Sequence, residues 1–392
     1  MTSWMEISRE RLAENYRVVS EAAGAETAVL AVVKANAYGH GLELCSVELA
    51  RAGAKWLGVG TANEGARVRA ALDVAGGVCE SGPGILVMCG ILREDVGEIV
   101  ACGLTPVVWT AEQVGWLAGS GVRVHVEIET GMGRQGVRAG AAMDDLLDAM
   151  KAGGVEVDGV MTHFAAAEVG DQELTRAQEK RFEAAVAQVR GRGLRLGWVH
   201  AGSSSSVDNA AEGAEAGWLV ELAKSVGARA MVRCGIALYG YCLPIAGGEV
   251  RGRVRGALEP VMTWKTRVID VRDAVAGETF GYNAMFTAEH AMRVALLRVG
   301  YADGLRRELS STNERGGGWV GVRGADGVVR RAEIVGRVSM NLTMVDVTGI
   351  EGVRVGDEVV LLGDGVTAED HARLAGTIAY EILCGVRAGS IE

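Results

Sequence analysis

The sequence lacks both long apolar segments and an excess of positive charge. No stretch approaches the roughly 18 unbroken apolar residues that a membrane helix needs. The start, MTSWMEISRERLAENY, has no apolar signal-peptide region. The formal charge of the chain is −10, which argues against a nucleic-acid partner. We therefore expect a soluble, cytoplasmic protein that binds neither membranes nor nucleic acid.

Paired cysteines are also missing. The sequence has 7 cysteines, an odd number, with no Cys-x-x-Cys motif and no paired histidine spacing. They are Cys45, Cys79, Cys89, Cys102, Cys234, Cys242 and Cys384. This scatter argues against a disulfide framework and against a zinc or other metal site. It favours reduced thiols that pack as small hydrophobic residues.

Glycine and apolar residues are abundant, with 57 glycines and 49% hydrophobic residues in a chain of 392. Short β-rich runs alternate with longer segments whose apolar residues recur every three or four positions. The runs are TAVLAVV, WLGVG, ILVM, TPVVW, VRVHVEI, GVMTHF, WVHAG and ARAMVRCG. A repeat of roughly 30 residues suits a strand, a crossover and a helix. The pattern predicts an α/β fold in which residues 7–241 form a (β/α)8 barrel of the TIM type.

The pattern changes near residue 250. Runs such as VMTWKTRVIDV, RVALLRVGY and DEVVLLG alternate at period two and are separated by Gly and Asp turns. Helical periodicity returns only in TAEDHARLAGTIAYEIL near the end. These features predict a second, mostly antiparallel β domain over residues 251–392, and residues 1–6 are candidates for the same domain.

A charged residue, Lys34, ends the first predicted barrel strand in VLAVVKANAYGHG. Residues at the carboxyl ends of barrel strands line the mouth, where active sites form. Burial of an ammonium group there is costly unless the group is paired or chemically modified. A Schiff base would remove the charge and make the lysine a covalent anchor. A lysine that snorkels at a strand end is the commoner alternative on composition alone.

Polar residues end several other predicted barrel strands. The fifth to eighth strands deliver Glu127, Glu129, Arg134, His163, His200, Ser203–Ser206, Arg233 and Gly235. HAGSSSS and VRCGIALYG each place a glycine after a strand, where backbone amides can bind phosphate. A lysine opposite such a cradle predicts a pyridoxal phosphate pocket. Taken alone, His200 also fits a structural histidine, and the serines fit a helix N-cap.

These motifs resemble those of the alanine racemases. AVVKANAYGHG is similar to the cofactor-lysine signature of that family. ETGMGRQG, THFA, VRCGIALYG, GYNAMFTA, VGYADGLRR, VGRVSMN and AYEILCG follow in the order that the family shows. The resemblance spans both predicted domains. It implies a barrel plus a β domain, pyridoxal 5′-phosphate as cofactor, interconversion of L-alanine and D-alanine, and a homodimer with shared active sites.

The resemblance assigns two bases to this reaction. Lys34 would hold the cofactor through a Schiff base and act as one base. Tyr282, in FGYNAMFTA, would be the second and would come from the partner subunit. Two bases are needed because a proton leaves one face of the α-carbon and returns on the other. The family places Arg233 and His163 near this tyrosine, where their positive field would favour the phenolate.

Further residues acquire roles through the same resemblance. Arg233 would face the pyridine nitrogen and leave it unprotonated, which weakens the cofactor as an electron sink. Arg134 would contact the cofactor and, with the backbone of Met340, the substrate carboxylate. The phosphate contacts would be Tyr38, Ser204, Gly235, Ile236 and Tyr380, and Tyr301 and Arg307 would line the substrate entrance.

The sequence departs from the family pattern at several of these sites. Many members have a carbamylated lysine that orients the arginine, and this chain has Glu127 at that position. We expect Glu127 to pair with Arg134, directly or through water. Ser203 stands where the family usually has Asn, and Asn341 where it usually has Asp. These departures leave the substrate range open.

Three alternative functions stay open on this evidence. A racemase for another small amino acid, such as serine, would share the motifs above. A non-catalytic pyridoxal phosphate-binding protein would need the lysine and the phosphate cradle but no second base. An amino-acid decarboxylase of similar architecture would remove the carboxylate of the substrate instead of its α-proton, and carbon dioxide release would reveal it.

Overall fold

The computed structural model describes residues 3–76, 82–209, 214–247 and 252–391. The chain divides into two compact units, residues 9–259 and residues 1–8 with 260–392. Cys79 and the predicted domain start at residue 251 lie outside the described residues. Within the described ranges, no helix has the length and apolarity needed to cross a membrane.

Residues 9–259 fold around a closed barrel of eight parallel strands that follow one another in chain order. The strands are β2 (Thr27–Val32), β3 (Trp56–Val59), β4 (Gly84–Val87), β5 (Thr105–Val108), β6 (Arg123–Glu127), β7 (Glu156–Met161), β8 (Trp198–Ser203) and β9 (Arg229–Cys234). Pairing of β9 with β2 closes the barrel. The predicted barrel is confirmed, because each run identified in the sequence forms one of these strands.

Helical segments connect these strands. They are α1 (Arg9–Ala23), α2 (Lys34–Tyr38), α3 (Leu42–Arg51), α4 (Ala62–Val74), α5 (Val96–Ala101), α6 (Ala111–Leu117), α7 (Ala141–Gly153), α8 (Glu173–Gly191), α9 (Ser204–Asn209) and α10 (Ala214–Ser225). Their apolar faces are buried: Leu12 and Val19 on α1 and Phe182 on α8 are fully enclosed. This burial follows from the spacing of apolar residues every three or four positions.

The second unit contains a seven-stranded sheet, whose strands are β1 (Ser3–Ile7), β10 (Met262–Ala274), β13 (Met292–Leu297), β14 (Trp319–Arg323), β15 (Val329–Glu333), β16 (Thr343–Asp346) and β17 (Glu358–Leu362). The strand order is β15-β14-β17-β10-β13-β16, and β1 also pairs with β10. A separate hairpin joins β11 (Thr279–Phe280) to β12 (Phe286–Thr287). The strands of this sheet pair in antiparallel fashion, which confirms the predicted β architecture.

The last helical segment of the sequence forms two short helices, α11 (Ala368–Ala375) and α12 (Ala379–Gly385). The side chain of Thr367 caps α11 by accepting a hydrogen bond from the backbone N–H of Asp370 at 3.1 Å. Gly376 ends α11 with a φ of 69°, a left-handed conformation that glycine adopts at little cost. The glycine therefore breaks a segment whose helical periodicity continues on both sides.

Candidate functional site

The predicted polar residues of the barrel converge at the carboxyl ends of its strands. Lys34 comes shortly after β2, Glu127 ends β6, and Arg233 lies near the end of β9. His163 follows β7, and Ser204 follows β8. The charges of Lys34 and Arg233 both act on the ring of His163. The structure thus brings these side chains together at one end of the barrel.

Lys34 is half-buried and begins a left-handed turn. Residues 35–38 all have φ angles of 54–55°, which cost L-amino acids about 1–2 kcal/mol each. The Glu64 carboxylate supports the turn by accepting the backbone N–H of Asn36 at 3.3 Å and that of Gly60 at 2.8 Å. Such strain persists only where the surroundings hold the backbone in place. The position of Lys34 therefore depends on contacts made by its neighbours.

A cradle forms where the loops after β8 and β9 meet the left-handed turn. A Cβ atom on Gly235 would lie 2.2 Å from Oη of Tyr38, so a glycine is needed there to leave room for the tyrosine hydroxyl. The backbone N–H groups of Gly235 and Ala237 donate to Oγ of Ser204 at 3.0 and 3.2 Å. Ile236 lies between these two donors. The structure thus brings together the barrel residues predicted to contact a phosphate.

Arg233 is a buried cation, 5% exposed, with several neighbours. It donates to the carbonyl oxygen of Thr162 at 2.6 Å and to Nδ1 of His163 at 3.2 Å. Nδ1 of His200 lies 3.5 Å from the same guanidinium. Burial lowers the pKa of Arg233 to about 10, and the charge of Glu127 opposes this shift. The guanidinium therefore stays charged near neutral pH.

The imidazole beside Arg233 is neutral, which corrects the expected positive field from both side chains. Burial first, and then the charges of Arg233, Arg134 and Lys34, lower the pKa of His163 to about 3. Because Nδ1 of His163 accepts from Arg233, Nε2 carries the proton in the neutral ring. Arg233 thus supplies the positive charge, and His163 supplies a neutral donor.

His125, a buried histidine next to His200, was not identified as a site residue from the sequence. His125 and His200 are both fully buried, and Nδ1 of His125 lies 2.8 Å from Nε2 of His200. Nε2 of His125 lies 3.8 Å from the Asp158 carboxylate. Burial lowers the pKa values of both histidines, so both rings are neutral near neutral pH. His200 places this neutral pair next to Arg233. The available signal was the position of His125 in VRVHVEI, where it alternates with valines and shares a strand face with Arg123 and Glu127.

Glu127 is buried, 2% exposed, and forms a hydrogen bond to Gln135 instead of pairing directly with Arg134. The Gln135 amide also donates to the carbonyl oxygen of Met88 at 3.0 Å. Burial raises the pKa of Glu127, while the Gln135 hydrogen bond and the charges of Arg233 and Arg134 oppose this shift. Arg134 lies on an exposed loop and acts on Glu127 through its charge. The two side chains form no direct ion pair, and their pairing through water stays a prediction.

The remaining predicted site residues belong to the β domain, and most of them are exposed there. Tyr282 is 67% exposed on a short turn, and Met340 is 55% exposed. The Met340 carbonyl accepts a hydrogen bond at 3.0 Å from the backbone of the turn that carries Tyr301. Arg307 is exposed, and Tyr380 is partly buried on α12. Tyr301 and Met340 are therefore neighbours, as a shared substrate entrance would require.

Among the residues that the structure describes, no group of three or more His, Cys, Asp or Glu side chains could bind a metal ion. Burial raises the pKa of Cys234, which neighbours Arg233 in β9, to about 12. That thiol therefore stays protonated near neutral pH.

Two family models match the chain and together cover most of it. The model described as "Alanine racemase, N-terminal domain" matches residues 7–243. The model described as "Alanine racemase, C-terminal domain" matches residues 261–390.

Individual relatives agree with these family matches. The alanine racemase of Symbiobacterium thermophilum is 35% identical, over 98% of this chain and 94% of the relative. That of Geobacter sp. (strain M21) is 32% identical, over 97% of this chain and 95% of the relative.

Solved structures show the same relationship. Alanine racemase from Streptomyces coelicolor A3(2) superimposes with a TM-score of 0.82 at 31% identity, covering 100% of this chain and 97% of that one. Alanine racemase from Bacillus anthracis with bound L-Ala-P has a TM-score of 0.82 at 26% identity, covering 98% and 92%. The chain therefore belongs to the alanine racemase family of pyridoxal phosphate-dependent isomerases, and it is an amino-acid racemase.

Proposed function

We propose that this protein interconverts L-alanine and D-alanine with pyridoxal 5′-phosphate, using two bases, as a cytoplasmic homodimer. The observation that carries the proposal is the arrangement at the barrel mouth. There, the half-buried Lys34 opens a strained turn next to the buried, charged Arg233. The relatives named alanine racemases match along nearly the whole chain, which supports alanine as the substrate.

The residues of the barrel mouth fit pyridoxal phosphate. Gly235 leaves room for Oη of Tyr38, and Oγ of Ser204 lies against the same backbone. Hydroxyl groups beside backbone amides at strand ends suit a phosphate group. The backbone of Ile236 would add a donor there, and Tyr380 stays a predicted phosphate contact. When bound, the cofactor withdraws electrons from the substrate α-carbon and makes its proton acidic.

Two side chains would move this proton. Nζ of Lys34 would take or return it on one face of the α-carbon, and Oη of Tyr282 would do so on the other. Tyr282 is 67% exposed on the surface of its own protomer, so its hydroxyl is accessible to a second copy of the chain. We therefore propose that each active site combines Lys34 of one subunit with Tyr282 of the other.

Charged residues would orient the reactants and limit side reactions. Arg233, with a pKa of about 10, would face the pyridine nitrogen and donate to it without giving up its proton. Arg134 and the Met340 backbone would bind the substrate carboxylate. The charges of both arginines act to lower the pKa of Glu127, and its negative charge would balance the positive charge of the site.

The purified protein, supplied with pyridoxal phosphate, tests this function directly. We expect an absorption band of the protein-bound cofactor, and conversion of L-alanine to a racemic mixture on a chiral column. L-serine in a parallel reaction measures the substrate range. A bound cofactor without conversion of either amino acid would favour a non-catalytic binding protein, and carbon dioxide release would favour a decarboxylase.

The phosphate cradle provides a separate prediction. Gly235→Ala would place a Cβ atom 2.2 Å from Oη of Tyr38, so the tyrosine must move away from the cradle. We expect the Kd of the apoprotein for pyridoxal phosphate to rise about tenfold or more, the equivalent of about 1.4 kcal/mol. Gly191→Ala on α8 is the matched control, since a Cβ there meets no atom within 4 Å. Equal cofactor affinity in the two variants would contradict the proposed cradle.

A further inference from the structure

His40, the histidine of KANAYGHG, contacts the left-handed turn that begins at Lys34. Its side chain is fully buried, and Nδ1 lies 3.0 Å from the carbonyl oxygen of Ala37 and 3.0 Å from that of Tyr38. Carbonyl oxygens only accept hydrogen bonds, so Nδ1 carries a proton and donates to both. Both acceptors belong to residues with a φ of 54°. His40 thus donates to two adjacent carbonyls of the left-handed turn.

The other ring nitrogen fixes the protonation state of His40. Nε2 is buried and has no hydrogen-bond partner among the described residues. A proton there would be an unpaired buried donor, which is unfavourable. Burial lowers the pKa of His40 to about 4, although its hydrogen bonds to the backbone of Tyr38 and Ala37 oppose this shift. Near neutral pH the ring is therefore neutral and protonated on Nδ1.

Tyr239 packs against this imidazole and ties it to the preceding strand. The ring centroids of His40 and Tyr239 are 4.5 Å apart, and those of Tyr38 and Tyr239 are 5.0 Å apart. The hydroxyl of Tyr239 donates to the carbonyl oxygen of Val32 at 3.0 Å. Since Val32 ends β2, the two rings connect the strand before Lys34 to the turn after it.

We propose that His40 is a positioning residue whose Nδ1–H holds the left-handed turn, so that Lys34 and Tyr38 face the cofactor. The residue acts through the backbone and touches neither cofactor nor substrate. Each residue with positive φ favours relaxation to an ordinary backbone conformation, and the shared hydrogen bond from Nδ1 opposes this relaxation at two adjacent carbonyls. The inference rests on the proposed function, because it assumes that Lys34 anchors the cofactor.

Two amide substitutions separate the roles of the two ring nitrogens. The side-chain nitrogen of asparagine occupies the place of Nδ1, whereas that of glutamine occupies the place of Nε2. His40→Asn therefore keeps a donor for the carbonyls of Ala37 and Tyr38, and His40→Gln moves the donor away from them. We expect the asparagine variant to bind pyridoxal phosphate with nearly native affinity. The glutamine variant should bind about tenfold more weakly or worse.

Hydrogen exchange of the cofactor-free protein measures the turn itself. Backbone amides of residues 34–42 should exchange faster in His40→Gln than in the native protein, and at the native rate in His40→Asn. In the loaded enzymes, the glutamine variant should lose kcat while its KM for alanine is retained, because His40 does not contact the substrate. A merely structural role would lower the stability of both variants without this difference between them.

The outcomes distinguish the two proposals. Failure of the native protein to bind pyridoxal phosphate would overturn the proposed function, while hydrogen exchange would still test His40. Equal exchange and equal cofactor affinity in the two variants would overturn the role of His40. If neither variant folds, long-range ¹H–¹⁵N spectra of the native protein decide: a proton on Nδ1 of His40 supports the inference, and a proton on Nε2 overturns it.

Discussion

Lys34→Ala is expected to lose both covalent attachment of pyridoxal phosphate and all measurable racemisation. Nζ of Lys34 would be the anchor of the cofactor and one of the two bases, so a single substitution removes both roles. Lys34 is half-buried at the strand end, and its removal leaves the buried strand β2 unchanged. The folded protein should therefore still be obtained, without the absorption band of the bound cofactor.

Borohydride reduction followed by peptide mass analysis measures this attachment. In the native protein, the cofactor mass should appear on the peptide that contains Lys34. Lys224→Ala is the control. Lys224 is an exposed lysine of the same unit, and its Nζ donates to the Glu26 carboxylate at 3.0 Å. Cofactor on another lysine of the native protein would show that the site has been placed wrongly.

Tyr282→Phe is expected to keep the cofactor and to lower kcat by about 10²–10⁴-fold, the usual contribution of a general acid–base group. The phenyl ring preserves the shape of the side chain, and Tyr282 is 67% exposed on its turn, so the substitution leaves no cavity. Val275→Ala, at a position 68% exposed in the same domain, is the control for mutagenesis and purification, and it should keep the native kcat. A Tyr282→Phe enzyme with native kcat would rule out the tyrosine as a base.

Mixed dimers test whether the active site is shared. A Lys34→Ala chain and a Tyr282→Phe chain each have little or no activity alone, but a dimer of the two has one site with both bases intact. Random mixing of equal amounts should restore about a quarter of the native activity, because half of the dimers are mixed and each has one working site. Verified mixed dimers that stay inactive would contradict the proposal that Tyr282 acts on the partner subunit.

The barrel was predictable from the sequence because its signal is local and repeated. Each strand is a short β-rich run, and the intervening segments carry helical periodicity, so the run TAVLAVV and its seven counterparts became β2 to β9. The polar ends of these runs then identified Lys34, His163 and Arg233. Strand order follows chain order in such a barrel, so the position of each residue at the end of its strand was enough to predict that they share one barrel mouth.

The sequence did not predict contacts that depend on tertiary structure. Residues 35–38 include no glycine, so nothing in ANAY indicates four successive positive φ angles. The hydrogen bond from Gln135 to Glu127 could not be distinguished from an ion pair with Arg134 by spacing alone. Burial neutralises His163, and burial of a side chain near a strand end is set by the packing of the whole barrel mouth.

The most direct test of the central claim is the reaction of the native enzyme with L-alanine in deuterium oxide, followed by proton NMR and chiral chromatography. If two bases on opposite faces move the α-proton, the α-proton signal should disappear as D-alanine accumulates, and the final mixture should be racemic and deuterated at the α-carbon. The same end point should be reached from D-alanine. Loss of the α-proton signal from L-alanine without formation of D-alanine would contradict the account, since it would show exchange on one face only.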